Sequence, residues 1–266
     1  FHLTTDSNRI NQILWEGDFD SGIESLRVVD TLAGAAGAME FSKLRAFGST
    51  ELDTTGQLIE IDVTYAADAI RIPAEDIEVT GADLTMLFEN ISVAAFTEYY
   101  ETMLNIDPQN PGATAMAMQS IVFRLLETNP AISLDPIRFA LNGESLNAAV
   151  SVRTINGDQA GLDPGNPMAL LGMFEASASL NASKPLFERL AGEASAAQTG
   201  MMDPEQLPPG QDAESVAQSQ ADLTIILLVG QGYLIDDGDN YSTEIEYANG
   251  EVRVNGTPLP LGALLQ

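Results

Sequence analysis

Apolar and polar residues alternate with a period of two over much of the chain, the mark of strands with one buried and one wet face. Ile59, Ile61, Val63 and Tyr65 alternate with Glu60, Asp62 and Thr64, and the rhythm goes on through Ile70-Arg71-Ile72 and Ile77-Glu78-Val79-Thr80. It returns in Ile137-Arg138-Phe139-Ala140-Leu141 and again at 146–152, where Leu146, Ala148, Val150 and Val152 share a face. A further strand is predicted at 170–180. Turn residues separate these runs: Asp53-Thr54-Thr55-Gly56, Leu141-Asn142-Gly143-Glu144 and Asn156-Gly157-Asp158. Asn-Gly suits a tight hairpin because both residues tolerate positive φ.

Helical spacing interrupts the meander. At 92–104, Val93, Phe96, Tyr100 and Met103 fall on one stripe behind Ser92, a good cap. At 113–128, Met118, Ile121, Val122, Leu125 and Leu126 recur at helical spacing until Asn129-Pro130 stops them. A shorter helix at 185–197 opens on Pro185 and turns Leu186, Phe187 and Leu190 inward. Another runs over 213–229, from a cap at Asp212 to Gly230 and Gly232. The stretches 157–167 and 199–212 are rich in Gly, Pro and Asp and read as loops.

The chain closes on Tyr233-Leu234-Ile235, an acidic turn from Asp236 to Asn240, and an alternating strand at 241–247. Asn249-Gly250 reverses it, Val252-Arg253-Val254 returns, and Asn255-Gly256-Thr257-Pro258-Leu259 ends it. These elements predict an α+β fold: a long, curved, mainly antiparallel β-sheet with a few covering helices and a C-terminal β-hairpin. They form one elongated β-rich module over 1–266, and any lobe boundary falls near 156–168.

Charge changes the picture most. The chain has 39 Asp plus Glu against 11 Lys plus Arg, a formal charge of −28, and only two lysines, Lys43 and Lys184. Such a surface repels phosphate backbones, so nucleic acid is not an expected partner. The plainer reading of the acidity is solubility, in a medium salty enough to screen self-repulsion; the sharper one is a patch for a cationic partner or divalent cations. No run of about eighteen apolar residues exists, the closest being Leu223 to Val229, so no transmembrane segment is expected within the chain. Because it opens on Phe1, the chain is read as processed or partial, with any signal or anchor upstream of it.

Candidate chemistry is sparse. No cysteine is present, and the single histidine, His2, stands at the very start, so neither a triad base nor a zinc cluster is expected. Phosphate-cradling glycine motifs are missing. Carboxylate pairs always occur among 39 acids, and a carboxylate-dependent hydrolase therefore stays open as an alternative. Asp18, Asp20 and Glu24, and the turn Asp236, Asp237, Asp239 and Asn240, offer oxygens for calcium, but neither has EF-hand spacing and both read better as turn chemistry. Met116 and Met118 on a helix, and Met201-Met202 in a loop, suit adaptable apolar contacts. No catalytic, cofactor or metal residues are assigned.

The closing segment carries a resemblance. An amphipathic helix followed by Gln231-Gly232-Tyr233-Leu234, an acidic turn, a strand, Asn249-Gly250-Glu251 and Val254-Asn255-Gly256-Thr257-Pro258-Leu259 resembles the YdgA-like family of bacterial proteins of unknown function. Asn129-Pro130 followed by Ile132-Ser133-Leu134-Asp135-Pro136 is similar to a family segment between helix and sheet. The match is good over roughly the last sixty residues. It implies a periplasmic protein tethered to the inner membrane by an N-terminal anchor not present in the chain, and supplies no catalytic residues. The expected function is a non-catalytic cell-envelope binding or structural module, its partner another envelope protein or an apolar ligand. The alternative is a carrier or sensor of an apolar or lipid ligand in a sheet-lined groove.

Overall fold

The alternating runs become the strands of one antiparallel sheet. The structure, a computed structural model, describes residues 2–10, 14–29, 38–105, 111–155, 157, 171–199 and 212–259. Strands β1 (His2–Arg9), β2 (Trp15–Val29), β3 (Ala38–Leu52), β4 (Leu58–Ile72) and β5 (Ile77–Ser92) precede two helices, α1 (Val93–Leu104) and α2 (Pro111–Leu126). Then come β6 (Ala131–Leu141), β7 (Glu144–Thr154) and β8 (Phe174–Ser183), followed by α3 (Lys184–Thr199) and α4 (Ala213–Gly230). The chain finishes with β9 (Ile235–Asp237), β10 (Asn240–Ala248), β11 (Glu251–Val254) and β12 (Thr257–Leu259). Strand order in space is strand order in sequence, save that β9 pairs β10 beside the main path. Tight hairpins impose this local order. At Asn142-Gly143 and Asn249-Gly250 both residues have positive φ, as a two-residue turn of the primed type requires.

The long strands do not alternate perfectly, and the way they fail decides the fold. Glu24, Lys43, Asp68 and Gly81 fall in line across β2 to β5, and strand pairing lapses there. Lys43 and Gly81 adopt φ of 46° and 58°. Apolar residues change parity at this line: Ile23 gives way to Leu26 and Val28, Leu44 to Phe41 and Met39, Ala67 to Ile70 and Ile72. Strict alternation would throw half of them onto the opposite face; a break in regular strand geometry shared along this line restores the phase. Lys43 spans the line to Asp68 at 2.7 Å, and that hydrogen bond holds its ammonium above its ordinary pKa. A second slip at Asp135-Pro136 does the same for Ile132 and Leu134 in β6, a position where proline's missing N–H is tolerated.

One apolar face therefore runs from β2 to β12. Registers such as Phe139↔Leu146↔Ala182↔Tyr241 and Leu134↔Val150↔Ala178↔Ile245↔Val254 carry it across the second half. The other face holds cross-strand ion pairs: Arg27–Glu40 at 3.5 Å, Arg45–Asp20 at 2.8 Å, Arg138–Asp83 at 2.6 Å and Arg153–Glu175.

Helices cover only parts of this sheet. Ser92 caps α1 by accepting from Ala95 N at 3.2 Å, and Ile121 of α2 is wholly buried. Val122, expected on the buried stripe with it, is 45% exposed, and Tyr100 and Met103 of α1 are exposed as well. The α1–α2 pair packs on itself and, among the described strands, mainly on β5, so each helix buries a narrow line instead of a broad stripe. Over the other end, α3 and α4 enclose a cluster of Ile225, Leu234 and Tyr241 with Phe187 and Leu228. No helix among the described residues is long and apolar enough to cross a membrane. The stretch 158–170, with most of the lobe boundary expected near 156–168, and Met201-Met202 lie outside the described residues.

The β3–β4 hairpin is fixed by Asp53. Its carboxylate accepts from Thr55 Oγ1 at 2.6 Å, Gln57 N at 2.8 Å and Leu58 N at 3.0 Å. The Thr55 hydroxyl first, then the Leu58 amide, lower its pKa from 3.8 to about 2. A depressed carboxyl stabilises the fold fully above 3.8 and progressively less as pH falls toward 2. Asp53→Asn should lower the melting temperature at pH 7 and flatten this acid limb; equal pH profiles for variant and wild type would contradict the assignment.

Candidate apolar ligand site

The apolar face is hollowed between β2 and β6. A trough of about 480 Å³ is lined by Ile23, Leu44, Tyr65, Ile70, Leu84, Ile137 and Phe139, drawn from five consecutive strands. Five neighbouring strands line one hollow only when the sheet bends toward it. Small residues make the room: Ala46, Ala67 and Ala82 also border it, with Ala67 6% exposed at its floor. Tyr65, 49% exposed, stands beside them as a wall open to solvent. Both parities of β4 reach the trough, Tyr65 and Ala67 from one side of the slip and Ile70 from the other. The aligned irregularity is thus what builds the site. Arg45, Asp83 and Arg138 also border the trough and are engaged in ion pairs, Arg45 with Asp20 and Arg138 with Asp83.

The strands under the trough are hydrogen-bonded to a neighbour on both sides. Away from the line where pairing lapses, its floor presents apolar side chains over a hydrogen-bonded backbone. A hydrocarbon needs no hydrogen-bond partners, so such a floor suits it.

The residues singled out in the sequence lie elsewhere. Asp18 and Asp20 are within β2, where Asp20 meets Arg45, and Glu24 adds its charge beside Lys43. Asp236 meets Lys184 Nζ at 2.6 Å, and Lys184 stands 5.1 Å over the Tyr241 ring. The Tyr241 hydroxyl donates to Glu188 Oε1 at 3.4 Å; burial first, then the Glu188 charge, pushes its pKa up. With the Phe187 ring edge-on at 5.4 Å, this is a clasp between α3 and the closing strands. Among the described residues no three His, Cys, Asp or Glu side chains converge as metal ligands would. His2 opens β1 opposite Gly22. Met118 is half-buried on α2 and Met116 exposed. Ile23 and Leu44 escape the sequence reading because β2 and β3 do; the parity change inside each strand hides its period.

Fold and hollow together define an open antiparallel sheet with one apolar face. The chain belongs to the family described as "Bacterial protein of unknown function (DUF945)", whose profile matches residues 1–262. This match spans nearly the whole chain, where the resemblance rested on its last part. No curated protein matches the chain, and no solved structure does.

Proposed function

We propose that the chain is a non-catalytic binding module that holds the apolar tail of an amphiphile in the trough between β2 and β6. The trough itself carries the reading: its volume of about 480 Å³ lies within the range of small-molecule sites, roughly 300–1,000 Å³. Its lining is mostly apolar, as a hydrocarbon tail requires, with the ion-paired Arg45, Asp83 and Arg138 at its border. The likeness of the C-terminal segment to YdgA-like proteins supports a periplasmic setting, with an N-terminal tether to the inner membrane outside this chain. There a lipid carrier has a clear use, since apolar tails need shelter from water between membranes.

The test is binding of N-phenyl-1-naphthylamine, a neutral dye that fluoresces in apolar sites. The wild-type chain should bind it, and Tyr65→Asp should weaken binding at least about tenfold by placing a charge in the apolar wall. Ser25→Asp, on the polar face, should not. Equal loss in both variants, or none in either, would remove the trough from the reading.

A second reading, an interaction module, is favoured by one observation. Leu223, Ile226 and Leu227 of α4 stand 61%, 64% and 60% exposed in a row, a patch of the kind that contacts other apolar surfaces. Native mass spectrometry of the chain purified from cells separates the two: a retained lipid supports the first, a stoichiometric protein the second.

A further inference from the structure

In a chain with 39 acidic and 11 basic residues, cations should find partners easily. Among the described side chains, Lys and Arg from Arg27 to Arg253 each meet a carboxylate, with Arg189 of α3 the exception. Its Nε and Nη2 are buried and have no hydrogen-bond partner. Glu193 follows one turn later, the spacing for a helical ion pair, yet no pair forms. Guanidinium nitrogens buried without a counter-charge are costly even on a half-buried side chain, and the cost is recovered when an anion arrives.

Helix geometry gives the direction from which an anion would come. Successive residues turn by about 100° around α3. Leu186, wholly buried, marks the side laid on the sheet. Phe187, about 100° to one side of it, meets Tyr241 on β10. Arg189 lies about 60° to the other side of Leu186, and so on the flank toward β7 and β6, because strand order runs β6-β7-β8-β10. The fourth helix covers the Phe187 flank, where Ile225 and Leu228 pack with Phe187 and Ala191, and reaches over the outer side of α3 to Gly192, where Gln218 lies. On the Arg189 flank, β7 carries Leu146, which pairs with Phe139, and Phe139 lines the trough.

We propose that Arg189 receives the anionic head of the amphiphile whose tail occupies the trough, so that the ligand is a carboxylate or phosphate on an apolar chain. The inference rests on the trough reading and adds the chemical class of the head. A guanidinium fork matches either group bidentately. The overall negative charge of the protein repels such a ligand only at a distance that salt largely screens.

The experiment displaces bound N-phenyl-1-naphthylamine from the full chain with palmitate, with the uncharged hexadecanol and with palmitoyl lysophosphatidate. The wild type should prefer an anionic competitor over the alcohol by about tenfold or more, the worth of a charge-assisted pair. Arg189→Gln should abolish that preference while leaving hexadecanol unchanged, and Arg189→Lys should recover part of it. Whichever anion loses more in Arg189→Gln identifies the head as carboxylate or phosphate. Because the variant removes a charge that has no partner, its melting temperature should not fall; a fall would show a structural role and overturn the assignment. Equal potency of acid and alcohol in the wild type, with no effect of Arg189→Gln, would also overturn it and leave the trough standing. Failure of all three competitors to displace the dye would instead strike the trough reading itself.

Discussion

A chain ended at Gly232 should lose its stable monomeric fold. The deletion takes Leu234 and Tyr241 out of the cluster they form with Ile225, leaving Phe187, Ala191 and Leu228 facing water. It also strips β8 of its partner over eight consecutive residue pairs, from Asn240↔Ser183 to Tyr247↔Ala176. An unpaired strand edge beside a newly bared apolar cluster is a template for association. Losing one buried aromatic side chain costs about 3–5 kcal/mol, against a typical domain stability of about 5–15 kcal/mol. The segment is also stitched in place as a unit. Asn255 N donates to Glu244 O, Glu244 N donates to Asn255 Oδ1, and Asn255 Nδ2 donates to Gly232 O, each at 2.8 Å. Thr243 Oγ1 donates to Tyr233 O at 2.8 Å. Size-exclusion chromatography with circular dichroism should show aggregation and lost strand signal. A truncated chain that stays monomeric with an unchanged melting temperature would make residues 233–259 a detachable arm instead.

Much of the sheet is legible in the sequence because its strands have one wet face. The runs in β4, β6 and β7 state their period openly, and the Asn-Gly pairs place two hairpins. Caps are equally plain: Ser92 and Asp212 each accept from the amide three residues on, as their types suggest. The strands β1 to β3 are not legible for a physical reason. In β3, Met39 and Phe41 fall on one parity and Leu44 and Ala46 on the other, so no single period fits the strand until Lys43 is known to turn the phase. The trough is hidden for a related reason. Ile23, Leu44, Leu84 and Phe139 come together only through the registers of four strand pairs, and a one-residue slip in any would disperse them. Arg189 is least legible of all, since Glu193 at the helical spacing suggests an ion pair that does not form.

The buried line of α2 allows a sharper check on its own packing. Ile121→Ala should destabilise the protein by about 2–5 kcal/mol, as deletion of a fully enclosed aliphatic side chain does. Val122→Ala, one residue along, should stay within about 0.5 kcal/mol, because its side chain is already largely in water. Half-buried Leu125 should fall between them. Denaturant unfolding of the three variants measures the order directly. The consequence reaches the trough, because α1 and α2 are the connection between β5 and β6, whose Leu84 and Ile137 face each other across its wall. Thr128 Oγ1 donates to Asn90 O at 2.6 Å and pins the end of that connection to the end of β5. Loosening the helix pair by Ile121→Ala should therefore weaken dye binding as well as stability, while Val122→Ala leaves both intact. Equal destabilisation by Ile121→Ala and Val122→Ala would mean that α2 buries a broad stripe after all, as its hydrophobic spacing alone predicts.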